Sequence, residues 1–428
     1  MPRFPLRRAI LCCCILLLLP STRGIAQIGV SIGLTKYGPG QKVALLVLPI
    51  TGTFGDSLGV MLSRDLEYSD RFTIVPGSSV VAPNGPPNYD LLAKLAVDGV
   101  LQGTLLPSGW LRVVLHDVAK RAIQNQKDFP LPAPAGSTAW RMAVHGIADG
   151  AEDWIVGQRG IAQTRISFSR DNRIWTVDSD GANAHPVTPA GMSSAWTPNG
   201  RSIVYTGYGN AHNPLYVTDL ATGSQRPLTT TTNGDLDITP SVSPDGRTVA
   251  FARVAESGTD LHVVPFAGGP VRRITVGSAG RISSFPSFSP DGQRLVFSSD
   301  RSGHNEVYIC DLDGTNQELL TSGAFGDRNY RVAPEWSPDG QVVAFGSLNG
   351  SAGQITTVKL RDQSMKMVTS DGRNEDPSWA PDARHLVFTS NRSGMRQLWV
   401  VDVETGRTRQ LTRGSAARLS SWSPRLAP

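Results

Sequence analysis

Short runs of apolar residues recur along the C-terminal two thirds of the chain, and the same polar turn precedes each of them. The clearest copies are 241-SVSPDGRTVAFAR-253, 287-SFSPDGQRLVFSS-299, 335-EWSPDGQVVAFGS-347 and 378-SWAPDARHLVFTS-390, with a weaker copy at 195-AWTPNGRSIVYTG-207. The turn prolines stand at positions 198, 244, 290, 338, 381 and 424, so the intervals are 46, 46, 48, 43 and 43 residues. A period of this length is typical of one four-stranded blade of a β-propeller.

Each repeat predicts four strands, which we name A, B, C and D in chain order. Ser-Pro-Asp-Gly favours a tight turn between strands A and B, because proline fixes φ at its second position. Strand B carries an aromatic residue at a fixed place: Phe168, Tyr205, Phe251, Phe297, Phe345 and Phe388. Strand D ends in an aliphatic-threonine pair: Val187-Thr188, Leu228-Thr229, Ile274-Thr275, Leu320-Thr321, Val368-Thr369 and Leu411-Thr412. β-branched and aromatic residues in these runs favour sheets that are covered on both faces.

The number of strands predicts how the repeats close. Six B-C-D sets begin near Arg165, and six A strands end with 419-LSSWSP-424. The first B-C-D set has no A strand before it, and the last A strand has no B-C-D set after it. Pairing these two leaves no open edge. Residues 164–428 are therefore predicted to form an all-β six-bladed β-propeller closed by its C-terminal strand. An open β-solenoid would not explain why the strand missing at the beginning is the one left over at the end.

A different pattern covers residues 41–160, which lack the repeat and predict a small α/β domain. The expected order is a strand at 43–50, a helix at 57–69, a strand at 71–75, a short helix at 90–96, strands at 99–106, 110–118 and 121–129, and a helix at 138–156. Leu58, Met61, Leu62 and Leu66 share one face of the first helix. Proline and glycine crowd positions 76–87, which indicates a surface loop.

The first 26 residues are predicted to be a secretory signal peptide, cleaved between Ala26 and Gln27. Arginines precede the apolar run 9–19, which is too short to span a bilayer, and 24-GIA-26 supplies the small residues of a cleavage site. Residues 27–40 then form a flexible tail with apolar residues at every second position: Ile28, Val30, Ile32 and Leu34. This spacing fits a peptide that adds a strand to a partner's sheet, and it equally fits a disordered linker.

Loss of the signal peptide changes the charge and the cysteine content. The full chain has 41 basic and 36 acidic residues, and residues 1–26 contain four of the arginines, so the exported chain has a net charge of +1. The basic character therefore gives no reason to expect binding of nucleic acid. Three of the four cysteines are also removed, which leaves Cys310 without a partner for an intramolecular disulfide. The exported protein must depend on a large packed core.

One stretch of the α/β domain matches two hydrolase motifs. Gly55-x-Ser57-x-Gly59 has the form of a nucleophile elbow, and 55-GDSL-58 is the signature of GDSL esterases. Asp382 and His385 stand near the C-terminus, where such an enzyme keeps its aspartate and histidine.

A structural interpretation explains these residues without catalysis. Asp56 and Ser57 stand where a helix begins, and both types are preferred as N-cap residues. Asp382 is in register with Asp245 of another repeat, so its spacing from His385 belongs to the repeat. We therefore predict no catalytic residues and no enzyme, with a secreted hydrolase built on Ser57 as the alternative.

No cofactor and no metal are expected. The histidines lack paired ligand spacing, and Cys310 lies in a predicted strand C, where it fits a core residue. Asp235, Asp237 and Asp376 lie just before A strands, the innermost strands of a propeller. A calcium ion in the channel, and with it a calcium-dependent propeller enzyme, is the alternative to interpreting these three residues as solvated turn residues.

The connections from each strand D to the next strand A are long and polar, and in a propeller they share one rim with the B–C loops. Arginine and aromatic residues in such loops are typical anchors of protein interfaces. We therefore predict a partner-binding rim that contains Asp235, Asp237, Arg281, Phe285, Arg328, Asn329, Tyr330, Arg373, Glu375 and Asp376. A propeller that binds polysaccharide is a further alternative for this surface.

Two segments resemble a known family. The segment 64-RDLEYSDRFTIV-75 and the junction 141-RMAVHGIADGAEDWIVGQRGIAQTRISF-168 are similar to the corresponding segments of the TolB family. The order of signal peptide, α/β domain and six blades extends the resemblance over the whole mature chain. There are two departures: 68-YSD-70 lacks the usual Ser-Gly, and 159-RGIA-162 replaces the usual Gly-x-Phe. Neither departure affects the expected function.

The resemblance implies a periplasmic, non-enzymatic adaptor of the Tol-Pal system. Members of this family bind the peptidoglycan-associated lipoprotein Pal through the propeller rim and TolA through the N-terminal tail. The system maintains the outer membrane and helps it to constrict at cell division. In this chain the D–A loops would form the Pal face, and Ile28 to Leu34 would form the TolA-binding tail. A monomer that is not inserted in a membrane after signal removal is expected.

Overall fold

The structure of the protein is a computed structural model that describes residues 41–76, 86–208, 213–231, 234–276, 281–322, 330–349 and 352–427. The following predicted features lie outside these residues: the signal peptide with Ala26 and Gln27, the tail with Ile28, Val30, Ile32 and Leu34, and Arg328 and Asn329 of the rim. The described chain folds into an α/β domain followed by a six-bladed β-propeller, which confirms the predicted fold class.

The α/β domain is built on a five-stranded mixed sheet. In chain order its elements are β1 Val43–Val47, α1 Gly55–Tyr68, β2 Phe72–Val75, α2 Tyr89–Lys94, β3 Gly99–Leu105, β4 Trp110–Asp117, β5 Ala122–Pro130 and α3 Thr138–Val156. The strand order is β2-β1-β3-β4-β5, with β1 parallel to both of its neighbours and the other pairs antiparallel. Helices α1 and α3 bury their apolar faces in one core, where Leu62 and Leu66 join Val144 and Ile147. The apolar periodicity therefore predicted these elements correctly.

The beginning of α1 differs from the prediction that Asp56 and Ser57 are its N-cap residues. The helix already includes both, and its N-cap is Phe54, which has φ 69° and makes no side-chain capping hydrogen bond. The chain turns sharply at this point, since a Cβ on Gly55 would lie 1.8 Å from the carbonyl oxygen of Ile50. The close approach of Gly55 to the backbone, and not side-chain capping, determines where the helix starts.

The propeller strands follow one another around the ring in the predicted A to D order. In chain order they are β6 Arg165–Arg170, β7 Arg173–Asp178, β8 His185–Pro186, β9 Met192–Trp196, β10 Ser202–Thr206, β11 Leu215–Asp219, β12 Gln225–Pro227, β13 Leu236–Val242, β14 Thr248–Ala255, β15 Gly258–Pro265, β16 Arg272–Arg273, β17 Ser283–Phe288, β18 Arg294–Ser299, β19 Glu306–Asp311, β20 Glu318–Leu319, β21 Tyr330–Trp336, β22 Val342–Asn349, β23 Ala352–Lys359, β24 Met365–Met367, β25 Asn374–Trp379, β26 His385–Ser390, β27 Gln397–Asp402, β28 Thr408–Gln410 and β29 Arg418–Trp422. Blade 1 has the order β29-β6-β7-β8, and blades 2 to 6 begin with β9, β13, β17, β21 and β25.

Blade 1 joins the two ends of the propeller sequence. Strand β29 pairs antiparallel with β6, with Ser421 opposite Ser167 and Trp422 opposite Ile166. The indole of Trp422 donates a hydrogen bond to the Thr164 hydroxyl over 2.8 Å, which ties the last strand to the segment before the first. The predicted closure by the C-terminal A strand is therefore confirmed.

Each strand A has a bulge at the same place, which gives the blades a common frame. The bulged residue has φ between 48° and 55° in all six blades: Ser193, Thr239, Phe285, Ala333, Asp376 and Leu419. The pairing with strand B shifts its register at this point in every blade. Positions in different blades can therefore be compared by counting from the bulge.

The aliphatic-threonine pair of strand D has a structural role in every blade. The threonine hydroxyl accepts a hydrogen bond of 2.9–3.0 Å from a backbone N–H near the start of strand C. The aliphatic neighbour packs into the core, as Leu228 and Leu411 do. The pair therefore fixes the outer strand of a blade, although strand D itself has only two or three residues.

Candidate functional site

The D–A connections and the B–C hairpins lie together on one rim of the propeller, which we name the D–A rim. Parallel bridges join the beginning of strand C, or a residue just before it, to the beginning of the next strand A: Asn213 to Leu236, Thr259 to Ile282 and Gly353 to Arg373. At these three connections the beginning of strand A therefore contacts the B–C hairpin of the preceding blade. The described residues of both kinds of loop lie on the same rim.

Several of the predicted rim residues are exposed on this surface. Tyr330, at the start of β21, has 53% of its surface exposed. Arg281 is exposed, and its guanidinium donates to the carbonyl oxygen of Asp300 over 3.0 Å. Glu375 is held on both sides, by Arg373 at 3.2 Å and by Arg396 at 3.0 Å. Asp235 is half-buried in the segment before β13.

Asp237 differs from the other predicted rim residues, because its side chain is fully buried. Its carboxylate accepts two hydrogen bonds from Arg253, over 2.7 and 2.8 Å, and a third from the Thr229 hydroxyl over 2.6 Å. Both oxygens are occupied inside the protein. The expectation that Asp237 contributes directly to a binding rim is therefore wrong, and its role is to hold blade 3 to the preceding D strand.

Phe285 and Asp376 occupy bulge positions and line the central channel rather than the outer part of the rim. Burial raises the pKa of Asp376 to about 6, and it raises that of the neighbouring channel residue Glu335 to about 8. Glu335 nevertheless accepts hydrogen bonds from the Ser378 hydroxyl and the Trp379 amide, both over 3.1 Å. Of the three aspartates considered for calcium, only Asp376 is among the described residues that line the channel, so the structure does not bring the three together.

The proposed hydrolase residues are far apart. His385 does contact Asp382, with 2.7 Å between Nδ1 and Oδ2, but Asp382 also accepts the backbone N–H groups that close the A–B turn of blade 6. The other imidazole nitrogen lies 3.4 Å from the carboxylate of Asp70, just beyond the C-terminus of α1. Ser57 is exposed near the N-terminus of the same helix, roughly 16 Å away at 1.5 Å per residue. No triad can form on Ser57.

His385 instead belongs to the interface between the α/β domain and the propeller. Asp70 accepts from Arg407 over 2.9 Å and lies 3.4 Å from Lys42, so it joins residues of both domains. Burial opposes the charge on His385, but the carboxylates of Asp382 and Asp70 outweigh it and raise its pKa to about 9. Burial likewise opposes the charge on Asp70, and His385 and Arg407 outweigh it and lower its pKa.

A second cluster has the same kind of arrangement, but here the histidine belongs to the α/β domain and one of the aspartates belongs to the propeller. His145 of α3 contacts Asp65 of α1 over 2.6 Å, and Asp180 of the propeller accepts from Arg141 over 2.6 Å and also from Arg64. Both clusters are compact enough to suggest a metal ion, because ligand atoms lie within 4.8 Å of one another. Arginines already neutralise their carboxylates, however, so we interpret them as ion-pair networks that dock the two domains.

Sequence reasoning missed this interface, although a signal for it was present. The two segments that carry the family resemblance, 64–75 and 141–168, contain Arg64, Asp65, Asp70, Arg141 and His145. These segments therefore contain the residues that dock the α/β domain on the propeller.

These features define a class of protein: a propeller with a polar channel and an exposed loop rim, docked on a small α/β domain, whose potential catalytic residues serve as turn and interface residues. The family model of the TolB beta propeller domain matches residues 153–426, which is more than half of the chain. The chain belongs to the TolB family.

Relatives with curated names agree with this family. The Tol-Pal system protein TolB of Methylococcus capsulatus (strain Bath) is 30% identical over 215 residues, which is 47% of this chain and 50% of that protein. The protein of the same name from Polaromonas naphthalenivorans is 25% identical over 237 residues, 52% of this chain and 53% of that protein. The chain thus spans about half the length of the curated relatives it matches. Because these relatives are named as Tol-Pal components, the prediction of a non-enzymatic protein is confirmed at the level of the family.

A solved structure extends the likeness of the fold to both domains. The crystal structure of TolB from Acinetobacter baumannii covers 90% of this chain and 98% of its own chain, with a TM-score of 0.79 and 21% identity. At this identity the match establishes the shared fold. Within the described part of the chain, no helix combines the length and the apolar character needed to cross a bilayer.

Proposed function

We propose that the protein is a periplasmic adaptor of the Tol-Pal system that links partners without catalysing a reaction. The observation that carries this proposal is the TolB-type propeller of residues 153–426, docked on the α/β domain through two ion-pair networks. Its role would be to maintain the outer membrane and to help it constrict at cell division. The predicted signal peptide of residues 1–26 supports a periplasmic location.

The lipoprotein Pal is the partner proposed for the D–A rim. Tyr330 and Arg281 are exposed on that rim and are of the types that anchor protein interfaces. Arg373 and Glu375, which form an ion pair of 3.2 Å, are the polar residues of this rim in blade 6. Asp237 is excluded from the contact because its carboxylate is occupied by Arg253.

Binding of purified Pal tests this surface. The double variant Arg281→Glu, Tyr330→Ala is expected to bind Pal at least about tenfold more weakly, because it removes an aromatic anchor and reverses a charge. Arg361→Glu is the matched control, since that side chain is 90% exposed on the C–D turn of blade 5, at the opposite rim. Equal affinity of both variants for Pal would show that the D–A rim is the wrong surface.

TolA is the partner proposed for the tail, in which Ile28, Val30, Ile32 and Leu34 would add a strand to the TolA sheet. Deleting residues 27–36 is expected to abolish capture of TolA, because main-chain pairing and alternate side chains are removed together. The thermal unfolding temperature and the affinity for Pal serve as controls and should not change. Retained capture of TolA by the shortened protein would reject the tail as its binding segment.

A further inference from the structure

A recess on the D–A rim of blade 1 has more arginines than carboxylates around it. It has a volume of about 220 Å³ and lies between the β6–β7 hairpin, the start of β9 and the residues around Arg418. Arg170, Arg396 and Arg418 line it. Two carboxylates lie beside these three arginines: Asp171 also lines the recess and acts on Arg170 through its charge, and Glu375 lies 3.0 Å from Arg396. The recess is therefore positively charged.

The side chain of Arg170 is buried and held in one orientation. Its guanidinium lies over the rings of Phe168 and Trp175, at 5.0 and 5.5 Å from their centres, and donates to the carbonyl oxygen of Arg413 over 3.1 Å. Only 9% of the residue is exposed, yet its Nε–H meets no acceptor within the described part of the chain. A buried guanidinium with an unused donor is unfavourable unless a counter-ion arrives.

Blade 3 contains the same arginine in the same setting. Arg253 follows its strand B aromatic by two residues, as Arg170 does, and lies over the ring of Phe251 at 5.6 Å. It also donates to the carbonyl oxygen of a residue just after a D-strand threonine, here Thr230 over 3.2 Å. The two guanidinium groups are thus positioned by the same contacts.

The two blades differ in the counter-ion. In blade 3 the carboxylate of Asp237 accepts from the Nε and a terminal nitrogen of Arg253, over 2.7 and 2.8 Å. Asp237 precedes the bulge of its strand A by two residues, and the residue two before the bulge Leu419 in blade 1 is Ala417. The backbone is equivalent, because the N–H of each residue donates to a residue just before a strand C, Asn213 or Arg396, over 2.9 or 3.0 Å. Blade 1 therefore repeats the arginine site with Ala417 at the strand A position where blade 3 has the acid, and Asp171 of the β6–β7 hairpin is the carboxylate that acts on Arg170 through its charge.

We propose that this recess binds a carboxylate of a protein partner, an aspartate or glutamate side chain presented to the D–A rim. It would supply to Arg170 and Arg418 the charge that Asp237 supplies to Arg253. The planar guanidinium fork suits a carboxylate, and Arg418 is exposed and lies in the path of an incoming group. The assignment of the carboxylate to Pal rests on the proposed function, whereas binding of a carboxylate in the recess does not.

A titration of the full exported protein with glutarate tests the recess itself. The Nε–H signal of Arg170 in the ¹H–¹⁵N spectrum, assigned by its loss in Arg170→Lys, is expected to shift with glutarate but not with the uncharged glutaramide. Ala417→Asp should remove the response, because the internal acid then occupies Arg170 as in blade 3. A side chain of this size fits, since blade 6 has the buried Asn374 at the same position.

Ala417→Asn is the matched control for this variant, because it has the same shape without the charge, and it should keep the response to glutarate. No shift in the unaltered protein, or a shift with inorganic phosphate alone, would overturn the proposal. An equal response in Ala417→Asp and Ala417→Asn would also overturn it, because the ligand would then bind elsewhere.

Binding of Pal tests the source of the carboxylate. Arg418→Gln and Ala417→Asp are expected to weaken Pal binding about tenfold each, the effect of one lost charge-assisted contact. Arg361→Gln, at the opposite rim, should bind as the unaltered protein does. If Pal binds all of these variants equally, its carboxylates do not enter the recess. If Pal fails to bind even the unaltered protein, the proposed function fails, and the glutarate titration still decides whether the recess is a carboxylate site.

Discussion

Asp237 and Arg253 form an ion pair that lies almost entirely inside the protein, with 0% and 18% of their side chains exposed. A buried pair of this kind contributes little net stability as a pair, but the loss of one partner leaves the other charge without compensation. Asp237 therefore matters for folding, although its position in a polar loop sequence made it a candidate for partner binding.

Asp237→Ala is expected to lower the free energy of unfolding by about 3–5 kcal/mol, because Arg253 remains buried without its acid. Asp235→Ala, two residues away in the chain, should lower it by about 1 kcal/mol or less, because Asp235 is half-buried and acts on Arg253 through its charge, whereas Asp237 also accepts two hydrogen bonds from it. Urea unfolding of the two variants provides the comparison. Equal free energies of unfolding would mean that the ion pair is not needed for the fold.

The sequence could not separate these residues by role. Asp235, Asp237, Phe285 and Asp376 all stand just before or within an A strand. Asp235 is half-buried in a loop, Asp237 belongs to a buried ion pair, and Phe285 and Asp376 line the channel. These differences depend on the bulge and on the register with strand B. Neither feature is visible in composition or apolar spacing, so a set of candidate residues could be predicted but not the place of each one.

At the scale of elements, the α1 helix contains two glycines with opposite steric surroundings. A Cβ on Gly55 would lie 1.8 Å from the Ile50 carbonyl oxygen, whereas a Cβ on Gly59 would meet no atom within 4 Å. Gly59→Ala is therefore expected to raise the free energy of unfolding by about 0.5–1 kcal/mol through helix propensity. Gly55→Ala should lower it, because the β1–α1 turn must open. Thermal unfolding followed by circular dichroism measures both, and a stabilised Gly55→Ala would contradict this account of the helix start.

Strand β29 completes blade 1 of the propeller. Deleting residues 417–428 removes Trp422 from the core of blade 1 and exposes the edge of β6. The loss of a buried tryptophan alone costs about 3–5 kcal/mol, and an exposed edge strand favours association between chains. The shortened protein should therefore unfold at lower temperature and elute as oligomers in size-exclusion chromatography. A variant lacking only residues 427–428 serves as the control, and a stable monomer from the longer deletion would show that blade 1 does not need its fourth strand.

The propeller strands were largely predictable, because the same strand pattern occurs in every repeat and a weak copy can be recognised from the clearer ones. The turn proline, the strand B aromatic and the strand D threonine all recur, and each has a physical role that the structure confirms. The start of α1 was not predictable. It depends on the close contact of Gly55 with Ile50, which only the folded backbone creates.

At the scale of the whole molecule, charged residues dock the α/β domain on the propeller. His385 is central to one of the two networks, with its pKa raised to about 9. Glu152 of α3 lies nearby, 2.8 Å from Arg71, and burial raises its pKa to about 8. Both groups bind protons more tightly in the folded protein than in the unfolded chain, so both make stability fall as the pH rises.

The pH dependence can therefore be predicted. The stability that His385 contributes is fully present below its unfolded pKa near 6.5 and is lost as the pH rises through about 9. The free energy of unfolding should accordingly fall between pH 6.5 and 9, by up to roughly 3 kcal/mol from this group. His385→Gln is expected to flatten this part of the curve. An unchanged slope in the variant, measured by urea unfolding at each pH, would assign the dependence to other groups such as Glu152.

The pairing of β29 with β6 also has a consequence for the order in which the molecule can form. The N–H of Ser423 donates to the carbonyl oxygen of Arg165, so this contact joins residues 258 positions apart. A chain made and exported from its N-terminus has all the residues of blades 2 to 6 before the partner of β6 arrives. The ring can close only after strand β29 has been made, so a chain that stops before Arg418 would keep the edge of β6 unpaired and open to association with other chains.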